Sequence, residues 1–284
     1  MIKKLLQMIS VIALVLFSFY YTDKTINLIR QTDPLMKQIK EESKKKEIEA
    51  MDAKTDGNKI KSGKNGQTVD IDKTYQKMKQ YGAYNEMLTV FKETTPTVSI
   101  EDTYDKFVIG GNGENREVAL LFPIENQSNP EEIIRIINQE NIPATFFLDG
   151  LWLENNLATV KNIKNHELEI LNYNHHYEEI YFQSAIQYLK NITGNAARYC
   201  YADYDNKEVI ELCSKLKLHT VTPTIKITNS PFQEIKDKLQ NGAIISLPIN
   251  SIVETELPTI INYIKSRGYQ LVTLQTLLSE EYEK

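Results

Sequence analysis

Cysteine is scarce in this sequence, and its scarcity excludes a disulfide-rich scaffold. The 284 residues include two cysteines, Cys200 and Cys213, whereas such scaffolds need several bridges. The two could form a single bridge outside the cytoplasm. The favoured interpretation is two reduced, partly buried thiols, because pairing requires closely matched geometry.

A large excess of charge is also missing. The formal net charge is -5, so the composition does not indicate a nucleic-acid partner. Lysines are concentrated in residues 37–64, but glutamates and aspartates balance them. Such a balance is typical of a solvated segment rather than of an anion-binding surface.

The long apolar run of the chain lies near its N terminus. Lys3 and Lys4 precede this run, residues 5–21, which is at the short end for a membrane span. We predict a signal-anchor helix over residues 1–22. The alternative, a cleaved signal peptide, needs a small-x-small site that the sequence does not supply. In both cases the remainder lies outside the cytoplasmic membrane, so we predict a single-pass cell-membrane protein with an extracytoplasmic C-terminal domain.

Two segments separate this run from the main domain. Residues 23–68 lose their apolar residues from about residue 40 onward and are predicted to form a charged, flexible tether. A helix over residues 71–92 and a strand over residues 98–109 are predicted to follow. We interpret residues 69–115 as a small helix–strand extension packing on the main domain, with a separate partner-binding module as the alternative.

The main domain is predicted over residues 116–284 and opens with a strand–helix–strand unit. Residues 118–122 and 143–148 are short, continuous apolar runs, as in strands buried on both faces of a parallel sheet. Between them, Asn129 and Pro130 are suited to start a helix. The unit predicts an α/β fold.

Strands and helices alternate from this unit to the end of the chain. The predicted strands lie at residues 117–122, 143–148, 167–171, 197–201, 218–222, 243–247 and 269–273. The predicted helices lie at residues 130–140, 151–164, 178–192, 205–216, 230–240, 253–266 and 274–282. This alternation indicates a parallel sheet, either an open doubly wound sheet or a closed barrel. In both, the functional face is where the strands end.

Three motifs carry a resemblance to a known family. Residues 144–147 read Ala-Thr-Phe-Phe, residues 242–249 read Gly-Ala-Ile-Ile-Ser-Leu-Pro-Ile, and residues 268–274 read Gly-Tyr-Gln-Leu-Val-Thr-Leu. They resemble motifs of the polysaccharide deacetylases, the NodB-homology domain of carbohydrate esterase family 4. The resemblance covers about residues 116–280. It implies that family's deformed (β/α) barrel of about seven parallel strands.

The resemblance also implies a chemistry, but the residues for it are missing. The family binds a divalent metal through one aspartate and two histidines, with a second aspartate as general base and a late histidine as acid. Here Pro123 and Ile124 stand at the aspartate positions, Tyr173 and Tyr177 at the metal histidines, and Pro248 at the acid. Because function depends on the site rather than on the fold, we expect a pseudoenzyme that needs no cofactor.

An active site could survive only in a non-standard form. The catalytic candidates are Glu125, Asp203 and Arg198, the last of which matches an arginine that orients the family's base. If the loop after the third strand slips by two residues, His175 and Glu179 form an i,i+4 pair able to bind a zinc-like ion. These residues support the alternative function, an active metal-dependent deacetylase of cell-wall polysaccharide.

Aromatic side chains are prominent at the predicted cleft and suit sugar rings or peptides. The predicted substrate-binding residues are Trp152, Tyr173, Tyr177, Tyr201 and Tyr204. The favoured function is therefore binding of cell-envelope glycan, or of an envelope protein partner, without deacetylation. A scaffolding role for helix 71–92 and the tether is a third hypothesis.

Overall fold

The computed structural model describes residues 12–18, 20–22, 24–25, 30–163 and 165–282. They fall into two compact units, the first within residues 1–49 and 66–94 and the second within 50–65 and 95–284. Residues 5–11 and 19 of the predicted membrane span, residues 5–21, lie outside the described residues. Within the described ranges, no helix is both long enough and apolar enough to cross a membrane.

The described elements alternate along most of the chain. The helices are α1 (Pro34–Lys44), α2 (Ile71–Tyr81), α3 (Glu131–Gln139), α4 (Gly150–Asn155), α5 (Leu157–Ile163), α6 (Glu179–Thr193), α7 (Lys207–Lys215), α8 (Pro231–Lys238), α9 (Ser251–Ser266) and α10 (Leu274–Leu278). The strands are β1 (Lys54–Asp56), β2 (Lys59–Lys61), β3 (Gly66–Val69), β4 (Phe91–Thr94), β5 (Phe107–Gly110), β6 (Glu117–Ile124), β7 (Thr145–Asp149), β8 (Glu167–Asn172), β9 (Tyr199–Tyr201), β10 (His219–Val221), β11 (Ile225–Lys226), β12 (Ala243–Ser246) and β13 (Gln270–Val272). A short 3-10 turn covers Glu86–Leu88.

The first unit combines α1 and α2 with an antiparallel β3–β4 pair. Met36 and Ile39 of α1 pack against Tyr75 and Met78 of α2 in a small apolar core. Asp33 caps α1 and also binds Lys79, whose hydrogen bond is the main reason that the pKa of Asp33 falls to about 2.

These observations correct the predicted organisation of residues 23–115. The segment 23–68 was expected to be a flexible tether, but from Pro34 onward it contains α1, β1, β2 and β3. Its few apolar residues are enough for order because they are buried, Ile39 in the first unit and Ile60 in the second. The structure divides residues 69–115 between the two units, and the predicted long helix ends at Gly82, whose φ of +73° suits glycine.

The second unit is an α/β half-barrel with a mostly parallel sheet. Its strand order is β1-β2-β5-β10-β9-β8-β7-β6-β12-β11, and β13 pairs with the first residues of β6. Only the β1–β2 pair is antiparallel in this sheet as described. All seven predicted strands are present, and β1, β2, β5 and β11 extend the sheet.

Strand β6 lies at the centre of the hydrophobic core. Val118, Leu120 and Phe122 on one face belong to the cluster that includes the isoleucines of α3. Ala119 and Leu121 on the other face belong to the cluster inside the half-barrel. Because both faces of β6 are buried, its sequence is a continuous apolar run, and the strand could be predicted from that run.

A disulfide joins Cys200 of β9 to Cys213 of α7. Their Cα atoms are 6.3 Å apart, within the range that a bridge requires. The favoured expectation of two reduced thiols was therefore wrong. The two cysteines are close enough to pair because α7 packs directly on β9 and β10, where both cysteines are buried. This proximity could not be predicted from the sequence.

Candidate functional site

The carboxyl ends of the parallel strands meet at one edge of the half-barrel, where folds of this class place their sites. Four polar residues interact there: Tyr201, Asp203, Lys226 and Ser246, here termed the edge cluster. The Tyr201 hydroxyl donates to Asp203 Oδ1 (2.6 Å) and lies 2.7 Å from Ser246 Oγ. Lys226 Nζ lies 2.9 Å from Asp203 Oδ2. The four groups thus satisfy much of one another's hydrogen-bonding capacity.

Tyr177 lies beside the edge cluster. It is partly buried, and burial raises the pKa of its phenol, as do the nearby charges of Asp203 and Glu125. The phenol therefore remains neutral near pH 7 and is able to donate a hydrogen bond. Tyr204 is 66% exposed at the same edge. The structure therefore brings together Glu125, Tyr177, Tyr201, Asp203 and Tyr204 of the predicted site residues.

The two adjacent histidines lie in a tight turn that follows β8. Asn174 and His175 have φ values of +48° and +66°, as in the two central residues of a type I′ turn. Tyr173 and His176 pair across the turn, and Asn174 N–H donates to Asp149 Oδ2 at 2.6 Å. This geometry leaves His175 and His176 exposed rather than facing into the site.

The residues at this edge do not fit the metal that the fold family implies. Pro123 and Ile124 offer no side-chain donor, and the Tyr173 hydroxyl donates to Glu154 while its ring stacks on Tyr181. The predicted ligand Glu179 forms an ion pair with Lys215. Among the described residues, no group of three or more His, Cys, Asp or Glu side chains could share an ion. Neutral phenols are poor substitutes for imidazole and carboxylate ligands.

Trp152 and Tyr201 are buried, which corrects their prediction as sugar-binding surfaces. Trp152 is 2% exposed, and its indole N–H donates to the Ser128 carbonyl at 3.0 Å. Tyr201 is 4% exposed and reaches the site through its hydroxyl rather than its ring. The Tyr173 hydroxyl donates to Glu154 and its ring stacks on Tyr181.

Arg198 is also displaced from its predicted position. It directly precedes β9, at the end opposite Asp203, and its guanidinium lies 3.5 Å from Glu101. The structure therefore does not bring Arg198 together with Asp203 or Glu125. A strand of three residues is long enough to place its two ends in different environments.

Two residues of the edge cluster, Lys226 and Ser246, were not predicted from the sequence as site residues. Ser246 lies in the strand motif that was matched only as framework. Lys226 belongs to a two-residue strand that carries no periodic signal. It meets Asp203 only because β11 pairs with β12 at the edge of the sheet.

Glu169 gives the fold a testable pH dependence. Its buried carboxyl group accepts the backbone N–H groups of Arg198 (2.9 Å) and Tyr199 (3.1 Å). Burial, together with the charge of Glu167, raises the pKa of Glu169 well above its usual value. Because the folded-state pKa exceeds the unfolded one, the free energy of unfolding falls as pH rises from the unfolded-state pKa through the folded-state pKa. We expect Glu169→Gln, which cannot ionise, to remove this decline.

The measurement for Glu169 is the denaturation midpoint of native and variant chains across a pH series. Fluorescence of Trp152, the single tryptophan, reports on the second unit. The variant should match the native chain at low pH and exceed it increasingly as pH rises. The exposed Glu131, replaced by glutamine, is the control. If the denaturation midpoints of Glu169→Gln and of the native chain changed with pH in parallel, the pH dependence would not come from ionisation of Glu169.

Comparison with known proteins agrees with this architecture. The family model for polysaccharide deacetylase matches residues 110–221, which include β6 to β10. The second unit resembles a polysaccharide deacetylase. The wild-type BA3943 protein of Bacillus anthracis, described as a CE4 family pseudoenzyme, is 25% identical with a TM-score of 0.66, covering 89% of this chain and 97% of that one.

Two further proteins are similar to this chain. The uncharacterized protein YlxY of Bacillus subtilis (strain 168) is 25% identical over 90% of this chain and 87% of its own length. Bacillus subtilis PdaA, a family 4 carbohydrate esterase, is 19% identical with a TM-score of 0.53, covering 62% of this chain and 85% of that one. At that identity PdaA shows the fold alone. The chain therefore has the CE4 fold and is close to a known pseudoenzyme.

Proposed function

We propose that this chain is a catalytically degenerate, polysaccharide-deacetylase-like protein that binds cell-envelope glycan without deacetylating it. The observation that carries the proposal is the edge cluster. The positions at which a deacetylase has its metal ligands and base hold Pro123, Ile124, Tyr173 and Tyr177. Beside them, the four residues of the edge cluster are hydrogen-bonded or ion-paired to one another. The similarity to a protein described as a CE4 family pseudoenzyme supports the same conclusion.

The chemistry of the edge cluster suits binding better than hydrolysis. Hydrolysis of an acetamide needs an activated water and a carboxylate free to take its proton. Asp203 accepts the Tyr201 hydroxyl and is ion-paired with Lys226, so both of its oxygens are engaged. The exposed ring of Tyr204 and the hydroxyl of Tyr177 can instead contact a sugar, the first through an apolar face and the second through a hydrogen bond.

We also propose that the chain is anchored in the cell membrane with both units outside the cytoplasm. Lys3 and Lys4 followed by the apolar run of residues 5–21 support the anchor. The Cys200–Cys213 disulfide supports the location, because such bridges persist in oxidising compartments and are rare in the cytosol.

The test measures glycan binding and hydrolysis with the same purified full-length chain. We expect chitohexaose and insoluble peptidoglycan to bind, with no acetate released when zinc, cobalt or manganese is added. Tyr204→Ala should weaken binding roughly two- to tenfold, taking the about 0.5–1.5 kcal/mol of an aromatic pair as the scale for a sugar ring stacked on Tyr204. Tyr204→Phe should bind like the native chain if the ring supplies the contact.

The matched control is Tyr81→Ala, which removes a similarly exposed tyrosine from the first unit. It should leave binding unchanged. Metal-dependent release of acetate by the native chain would overturn the proposed loss of catalysis. Absence of binding to both glycans, or equal effects of Tyr204→Ala and Tyr81→Ala, would overturn the glycan-binding proposal.

A further inference from the structure

A cavity lies at the end of the half-barrel opposite the edge cluster. It has a volume of about 540 Å³ and is bordered by the first residues of β6 and β9, Glu117 and Tyr199. The segments 111–113 and 273–282 supply much of the remaining lining. This amino-end cavity falls within the size range of small-molecule sites. Neither the deacetylase resemblance nor the proposed glycan site assigns it a role.

The walls of the amino-end cavity are held by backbone contacts. Gly111 N–H donates to the Gly242 carbonyl at 2.9 Å, and a Cβ on Gly111 would lie 2.6 Å from the Leu277 carbonyl oxygen. The backbone N–H groups of Arg198 and Tyr199 donate to the buried Glu169. The cavity is therefore largely preformed, which lowers the entropic cost of binding a ligand.

Opposite charges line this cavity. Lys64 and Arg198 are the basic lining residues, and Glu101, Glu117 and Glu281 are the acidic ones. The mixture disfavours a simple anion, which would meet three carboxylates, and a simple cation, which would meet two bases. A ligand that carries both charges matches this lining best.

The Arg198–Glu101 pair provides a place for both charges. Arg198 Nη2 and Glu101 Oε1 are 3.5 Å apart, longer than a charge-assisted hydrogen bond, and the two side chains are 42% and 53% exposed. Such an exposed, loose pair contributes little to stability, so opening it costs little. A ligand carboxylate can then bind the planar guanidinium of Arg198 bidentately while a ligand ammonium binds Glu101.

We propose that the amino-end cavity binds a small zwitterion, an amino acid or short peptide with free amino and carboxyl ends, between Arg198 and Glu101. This role replaces the one that the family resemblance suggested for Arg198. It is independent of glycan binding at the edge cluster, because the cavity lies at the other ends of the strands.

The experiment is calorimetric titration of the full-length chain with L-alanyl-L-alanine. We expect one site per chain. N-acetyl-L-alanyl-L-alanine lacks the ammonium and L-alanyl-L-alaninamide lacks the carboxylate. Each should bind at least about tenfold more weakly, because hydrogen bonds to charged groups contribute about 1.5–3 kcal/mol. These probes test the proposal on the native chain, so no substitution can confuse binding with folding.

Substitutions then locate the site. Arg198→Gln and Glu101→Gln should each weaken dipeptide binding by about tenfold or more. Arg135→Gln and Glu132→Gln are matched controls, because they disrupt an exposed Arg–Glu pair elsewhere in the same unit. Trp152 fluorescence checks that each variant is folded. No binding at millimolar dipeptide, equal binding of the blocked probes, or unchanged binding by both cavity variants would overturn the proposal.

Discussion

Replacing Glu280 with alanine is expected to lower the free energy of unfolding of the second unit by at least about 3 kcal/mol, because the two hydrogen bonds that its Oε1 accepts contribute about 1.5–3 kcal/mol each. Glu280 is 4% exposed. Its Oε1 accepts the N–H groups of Gly63 (2.6 Å) and Ile100 (3.2 Å), and Oε2 accepts the Ser99 hydroxyl. One side chain near the C terminus thereby joins two segments that are distant in sequence. Alanine leaves their donors buried without a partner.

Denaturant unfolding followed by Trp152 fluorescence measures this loss. Glu280→Gln keeps an acceptor oxygen and should lose less stability than Glu280→Ala. The neighbouring Glu281 is exposed, so Glu281→Ala should change stability by no more than about 0.5 kcal/mol. Equal midpoints for Glu280→Ala and the native chain would show that the carboxylate does not join these segments.

Removing the Cys200–Cys213 disulfide is expected to lower the free energy of unfolding by about 3 kcal/mol. The two cysteines are 13 residues apart, and closing a loop of about 15 residues in the unfolded chain is worth about 3 kcal/mol by the chain-entropy estimate. Both residues are buried, so alanine is a better replacement than a polar residue in Cys200→Ala/Cys213→Ala.

Reductant separates the effect of the bridge from that of the substitutions. The native chain should lose stability when dithiothreitol is present, whereas the double variant should unfold at the same denaturant concentration with or without it. A native chain whose midpoint is indifferent to reductant, after thiol titration confirms complete reduction, would contradict the contribution assigned to the bridge.

Much of the fold could be predicted because its strands are buried on both faces. The apolar runs in β6, β7 and β12 identified a parallel sheet, and helical spacing in α3 identified the helix between the first two of these strands. The ordered part of residues 34–69 was missed because its strands are short and largely polar. These strands are ordered because a few of their residues, such as Ile60, are buried. The average composition of the segment does not indicate those residues.

The candidate site was predictable in one respect and not in others. Residue identity alone indicated that Pro123, Ile124 and Pro248 cannot bind a metal or transfer a proton. The positions of Trp152 and Arg198 could not be read in the same way. Both had suitable chemistry, but burial removed the first from the surface and the short strand β9 placed the second at the opposite end.

The alternation of strands and helices and the loss of the family's catalytic side chains follow from the sequence alone, because both are local properties of residue type and spacing. Three contacts became evident from the folded chain: the Cys200–Cys213 bridge, the ion pair of Asp203 with Lys226, and the pairing of Arg198 with Glu101 beside a polar cavity. Each of these depends on segments far apart in the chain. Their meeting is set by strand order and packing, which local patterns do not specify.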